Sequence, residues 1–148
     1  MKAKLISENL HNFEKKSNSL SSLGIGKRAL IEKWLDEMSV SDYTINEDFT
    51  IDVEGTVDLF EMKIVKFPEY IQFNIVKGYM SCAHCELITL KGCPIKVYQD
   101  FYCDWNNLTS LEGCPKLIGG SLYCGHNKVK FKKEDIEKNY KIYCKIFC

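Results

Sequence analysis

A chain of 148 residues with a formal net charge of zero has room for one domain, and no overall charge draws it toward nucleic acid. No apolar run reaches the length of a membrane span, and the opening Met1-Lys-Ala-Lys-Leu-Ile-Ser-Glu lacks the apolar stretch of a secretory signal, so a cytoplasmic protein without a membrane partner is expected. In a reducing cytoplasm its eight cysteines are expected to stay thiols rather than form a disulfide framework.

In chain order, Ile6, Leu10 and Phe13 keep helical spacing and predict a short helix over 4–16. The Ser/Gly-rich stretch 17–26 reads as a flexible break. Over 27–39, Leu30, Ile31, Trp34, Leu35 and Met38 form one apolar helix face. Tyr43, Ile45, Phe49, Ile51 and Val53 then nearly alternate around Asn46-Glu-Asp, which predicts a small hairpin or a pair of edge strands. Residues 27–54 thus read as an N-terminal cap, with the Trp34 helix at its centre.

From residue 55 to 131 a period takes over. Cys82, Cys103 and Cys124 stand 21 residues apart, as do Met80, Phe101 and Leu122, and also Leu87, Leu108 and Val129. Leu90 matches Leu111, Gly92-Cys-Pro94 matches Gly113-Cys-Pro115, and Val97 matches Ile118. A looser unit with Val57, Leu59, Met62, Ile64 and Phe67 precedes them; it is two residues longer, Gly55 to Gly78 spanning 23. Fixed spacing of apolar columns marks a solenoid, whose units cannot bury their own faces and must stack. Alternation at Phe101/Cys103 puts both side chains on one side of a short strand, and parallel strands from successive coils are expected to form one narrow sheet. Asn106 and Asn127 sit at the following corner, where a side-chain amide can satisfy otherwise unpaired backbone groups. Beyond the repeats, 132–138 reads as a helical turn or two and 141–148 alternates like a strand, together a C-terminal cap over 132–148.

The unit from Phe101 to Pro115 fits L-x-L-x-x-N-x-L, the core of the leucine-rich repeat, through Phe101, Cys103, Asn106 and Leu108. Further, Asn107-Leu-Thr-Ser-Leu-Glu-Gly-Cys-Pro-Lys-Leu-Ile-Gly-Gly-Ser-Leu-Tyr-Cys-Gly-His-Asn127 resembles the units of leucine-rich-repeat-like proteins of bacteriophages and prophages. The segment from Asp42 to Gly55 resembles the lead-in before such repeats. Departures are Cys85 in the Asn column and Gln99 in place of Gly. The resemblance implies an α+β repeat fold: a short leucine-rich-repeat-like β-solenoid of three to four coils of 21–23 residues, with a helical N-terminal cap and a helix–strand C-terminal cap. It also implies an accessory or host-interaction role, for example as a steric inhibitor of a bacterial antiviral defence such as a CRISPR-type nuclease.

Cys82-Ala-His-Cys85 has the C-x-x-C spacing of zinc and redox sites. A second such pair is absent, and His84, Cys103 or His126 would have to complete a zinc site. The register offers structural packing instead, since Cys82 shares the inward column of Cys103 and Cys124, and buried Cys behaves as a small hydrophobe. The histidines His11, His84 and His126 form no catalytic set, and no G-x-S-x-G, phosphate loop or H-E-x-x-H occurs, so neither an enzyme nor a cofactor is expected.

Residues alternating with the core face outward: Tyr79 and Ser81, Asp100 and Tyr102, Ser121 and Tyr123, followed by His84, Asp104, Trp105 and His126. Such an aromatic strip is the expected binding face for a host protein, because Tyr and Trp bury large areas and keep a polar handle. The alternative is that the tyrosines only stiffen the sheet by cross-strand pairing. Residues 47–70 carry seven acids against two lysines, and 128–148 seven lysines against three acids. That lysine-rich end reads first as a solvated cap; nucleic-acid binding through it, aided by Tyr140 and Tyr143, is the alternative. Open ends or sheet edges would also allow a homodimer.

Overall fold

A computed structural model describes residues 25–148. The helix read over 4–16, most of the break that follows it, and His11 lie outside the described residues. Helix α1 (Ile25–Glu37) begins two residues before the expected start, taking in the last two residues of the stretch read as a linker. Its C-terminus closes through Ser39, held at φ 57°, with Ser39 N donating to Asp36 O and Val40 N to Leu35 O. This left-handed cap satisfies carbonyls that the helix leaves open. It also folds Val40 back into the core beside Met38.

The buried face of α1 consists of Leu30, Ile31, Trp34 and Leu35, with Met38 buried just past its end, the residues expected from spacing. Trp34 meets Phe67 and Phe73 edge-on at 5.9 and 6.3 Å, so the helix covers the aromatic end of the solenoid. Strands β1 (Tyr43–Ile45) and β2 (Ile51–Val53) pair antiparallel around the Asn46–Phe49 turn, the hairpin expected. Arg28 ties helix to hairpin by donating to Ile45 O at 3.3 Å.

From β2 onward the chain winds as a β-solenoid of about four turns. Each coil contributes two short strands, not one. Strands β2, β4 (Phe73–Val76), β6 (Lys96–Val97), β8 (Leu117–Ile118) and β10 (Lys141–Ile142) stack in parallel as one sheet, with β1 at its edge. A second parallel sheet holds β3 (Val57–Asp58), β5 (Met80–Ser81), β7 (Phe101–Tyr102), β9 (Leu122–Tyr123) and β11 (Ile146–Phe147). The expectation of one narrow sheet is therefore corrected. The Val97/Ile118 column, matched in the sequence, is a strand column in its own right, separated from the Phe101/Leu122 column by a short corner.

Between the sheets lie Val76, Val97 and Ile118 from one side and Val57, Met80, Phe101 and Leu122 from the other, all fully buried. Burying side chains of this size contributes about 1.5–3 kcal/mol each, offset by the entropy of ordering them. Gly92 and Gly113 turn the chain on the far side at φ 103° and 89°. A Cβ on Gly113 would come within 2.6 Å of the Leu90 backbone, so both the conformation and the close stacking require glycine there.

The C-terminal segment differs from expectation. Helix α2 (Lys133–Asn139) buries only Ile136, and the chain then enters both sheets again as β10 and β11. It therefore supplies the last rung of the solenoid as well as closing it. Val129 keeps the 21-residue step but stays 40% exposed, because the chain leaves the coil for α2 instead of laying another turn over it. Met62 also points outward at 37% exposure, in the longer first coil where Glu61 and Lys63 both adopt left-handed backbone.

Candidate functional site: the ring-bearing face of the second sheet

The repeat positions a constellation of rings on the outer face of the second sheet. Tyr102, Tyr123 and Phe147 share one register column, because β7, β9 and β11 pair in parallel and in step. Parallel strands about 4.8 Å apart bring identical positions within stacking distance. Accordingly Tyr102–Tyr123 and Tyr123–Phe147 stack with centroids 4.5 and 4.6 Å apart and planes within 12°. Tyr79 belongs to the neighbouring column of Asp100 and Ser121, and so meets Tyr102 edge-on at 6.0 Å. The tyrosine ladder anticipated from Tyr79 is thus continued at its other end by Phe147. The loss of the 21-residue step after Tyr123, where the interval becomes 24, concealed Phe147 in the sequence.

A second ladder stands at the corner beyond the strands. His84, Trp105 and His126 all hold φ between 53° and 55°. This left-handed turn lets each coil change direction while its side chain projects outward. His84–Trp105 and Trp105–His126 stack at 5.1 and 3.9 Å, and Phe60 closes the row edge-on to His84 at 5.3 Å. Trp105 is 50% exposed and Phe60 49%. Phe60 escaped notice in the sequence because its coil is the irregular one.

Polar partners fix the rings. Tyr79 Oη donates to Asp58 at 3.2 Å and Tyr102 Oη to Asp100 at 3.1 Å. The same Asp100 accepts the Ser121 amide at 2.6 Å, joining one coil to the next. Partial burial and the adjacent Asp100 push the Tyr102 hydroxyl up to about 12, so the ring stays neutral across physiological pH. Ser81 and Ser121 depart from expectation: both are buried, and Ser81, a small side chain in the same column as the larger Asp58 and Tyr102, shows only at the floor of a groove between the rings. The remaining residues of the expected strip, Tyr79, His84, Asp100, Tyr102, Asp104, Trp105, Tyr123 and His126, come together on one face.

Asn106 and Asn127 stiffen the corner beneath. The buried Asn106 side chain accepts from Cys85 N and Leu87 N and donates to Cys82 O, Cys103 O and Asp104 O. Asn127 repeats the pattern toward Leu108 N, Cys103 O, Cys124 O and Gly125 O.

The thiols lie inside. Cys82, Cys85, Cys93, Cys103, Cys114 and Cys124 are buried, and Cys144 and Cys148 exposed. Cys85 stands where Asn would, and its Sγ donates to Leu59 O at 2.8 Å; Cys82 Sγ donates to Tyr102 O at 3.2 Å. Burial, and then the neighbouring Cys82, push the Cys85 thiol up to about 12. Burial likewise raises Cys124 to about 12 and lifts Cys93, Cys103 and Cys114. A nucleophilic or metal-binding Cys needs the thiolate form, which these surroundings disfavour. Among the described residues no three His, Cys, Asp or Glu side chains gather in a way that could hold a metal ion.

At the lysine-rich end, Tyr140 Oη donates to Leu111 O at 2.7 Å, and its ring is covered by Lys116 Nζ at 4.6 Å. Lys133 and Lys138 pair with Glu137 and Asp135 on the same helix. Tyr140 therefore serves the fold, while Tyr143, 58% exposed, projects from that end. No described helix is long and apolar enough to cross a membrane.

The fold and the site define a short β-solenoid with an aromatic face. Compared with family models, with curated proteins and with solved structures, the chain has no significant match.

Proposed function

We propose that this solenoid is a non-enzymatic protein-binding module, and that the two aromatic ladders are its contact face. The observation that carries the reading is the co-alignment of half-exposed Trp105 and Phe60 with the Tyr102–Tyr123–Phe147 stack on one side of a rigid sheet. Aromatic side chains held in place bury large areas with little further loss of entropy, which is how binding hot spots work. The sequence resemblance to phage leucine-rich-repeat-like proteins supports a host protein as partner and the host cytoplasm as compartment. Steric inhibition of an antiviral defence nuclease is one specific form of this reading.

The test is affinity purification from bacterial lysate with the wild-type chain and with Trp105→Ala/Tyr102→Ala. The doubly substituted chain is expected to melt cooperatively and to lose the recovered partner by about a hundredfold in affinity, in line with two hot-spot residues. A partner retained at full affinity contradicts the assignment of the face. Purely structural stacking predicts the reverse: destabilisation with binding unchanged.

A further inference from the structure

Between the two ladders runs a groove of about 350 Å³, bordered by Asp58, Phe60, Tyr79, His84, Tyr102 and Asp104. Its floor is open because the column through Asp104 carries small neighbours. Ala83 precedes Asp104 in that column and Gly125 follows it, as the His84 N–Asp104 O and Trp105 N–Gly125 O bonds show. A Cβ on Gly125 would meet nothing nearer than Cys148 C at 3.9 Å. Asp104 therefore stands alone between Tyr102 on one side and Trp105 on the other.

Three carboxylates, Asp58, Asp100 and Asp104, serve this face, and none is in an ion pair among the described residues. The groove lining contains no lysine or arginine. Asp58 and Asp100 each accept from a tyrosine hydroxyl and a backbone amide. Asp104 differs: its Oδ1 is shielded from solvent and receives no hydrogen bond among the described residues. The other oxygen of Asp104 is therefore the one an incoming donor can reach, and a charged donor bonds a carboxylate most strongly.

We propose that the groove receives an arginine side chain from a basic segment of the partner protein; this rests on reading the ladders as a protein-binding face. With the faces of Trp105 and Tyr102 already covered by neighbouring rings, a guanidinium in the groove rests against ring edges, and its fork can donate to Asp104 while Asp58 and Asp100 add attraction. Lysine would offer the charge without the flat fork.

The experiment uses an isotopically labelled chain and short acetylated, amidated oligopeptides of arginine, lysine or glutamate. Oligoarginine is expected to shift the Trp105 indole signal and the amides of Ala83, Asp104 and Gly125, more strongly than oligolysine, while oligoglutamate leaves them unmoved. Because the Asp104 side chain makes no hydrogen bond among the described residues, Asp104→Asn is expected to keep the melting temperature and weaken oligoarginine about tenfold. Shifts confined to the acidic hairpin around Glu47 and Asp52, or equal affinity in Asp104→Asn, overturn the proposal, and oligolysine binding as tightly overturns the preference for guanidinium. With the natural partner the two readings separate. Loss in Trp105→Ala with full affinity in Asp104→Asn removes the arginine and leaves the binding face; full affinity in both removes the face itself.

Discussion

Asn106 shows how one side chain can govern a coil. Its amide is buried and engages five backbone groups across two coils, so truncation strands donors and acceptors that water cannot reach. Asn106→Ala is expected to lower stability by about 3 kcal/mol, more than Asn127→Ala, which is only half-buried and lies near the last rung. Urea denaturation of both variants checks the order; equal and small losses would contradict it. The roles of Asn106 and of the inward Cys82, Cys103 and Cys124 were legible in the sequence, because a strict 21-residue step leaves each residue one place to go. Ser81 was not legible in the same way: alternation gives its side of the strand, but not the larger side chains beside it.

Among the elements, α1 carries the most consequence. Its apolar face covers Phe67 and Phe73, which would otherwise form an open end of the stack. Trp34→Ala removes a fully buried indole and is expected to cost about 3–5 kcal/mol, with aggregation as the exposed end seeks a partner. Chemical denaturation with light scattering measures both; a monodisperse variant of unchanged stability would refute the capping role. Helical periodicity made this element readable, and the hairpin followed from alternation around Asn46-Glu-Asp. The strands of the first sheet were harder to recognise, since two-residue strands such as Lys96–Val97 are too short to alternate visibly. Phe147 and Phe60 fell outside the strip because their coils break the period, by 24 residues after Tyr123 and by the extra length of the first unit.

For the whole molecule, the thiol-filled interior sets a response to pH. In the unfolded chain a cysteine ionises near 9.0, whereas in the folded chain burial holds Cys85 and Cys124 protonated to about 12 and raises Cys93, Cys103 and Cys114 as well. Because the folded state keeps protons that the unfolded state releases, stability is complete below pH 9 and drains as pH rises toward 12. Each such thiol contributes a slope of about 1.4 kcal/mol per pH unit once the unfolded form ionises. Melting curves across pH 7–11 are expected to be flat and then to fall steeply; a fall starting well below 9 would mean that the thiols are not the buried groups described.

Stacked coils in register place rings on the outer face of one sheet, while Ile95, at 60% exposure just before β6, stands beside the other. Photo-crosslinking to the recovered partner compares these two positions under identical conditions. A photoreactive phenylalanine in place of Trp105 is expected to capture the partner, and the same group in place of Ile95 is expected to capture none. Capture from position 95 without capture from position 105 would contradict the account at its centre.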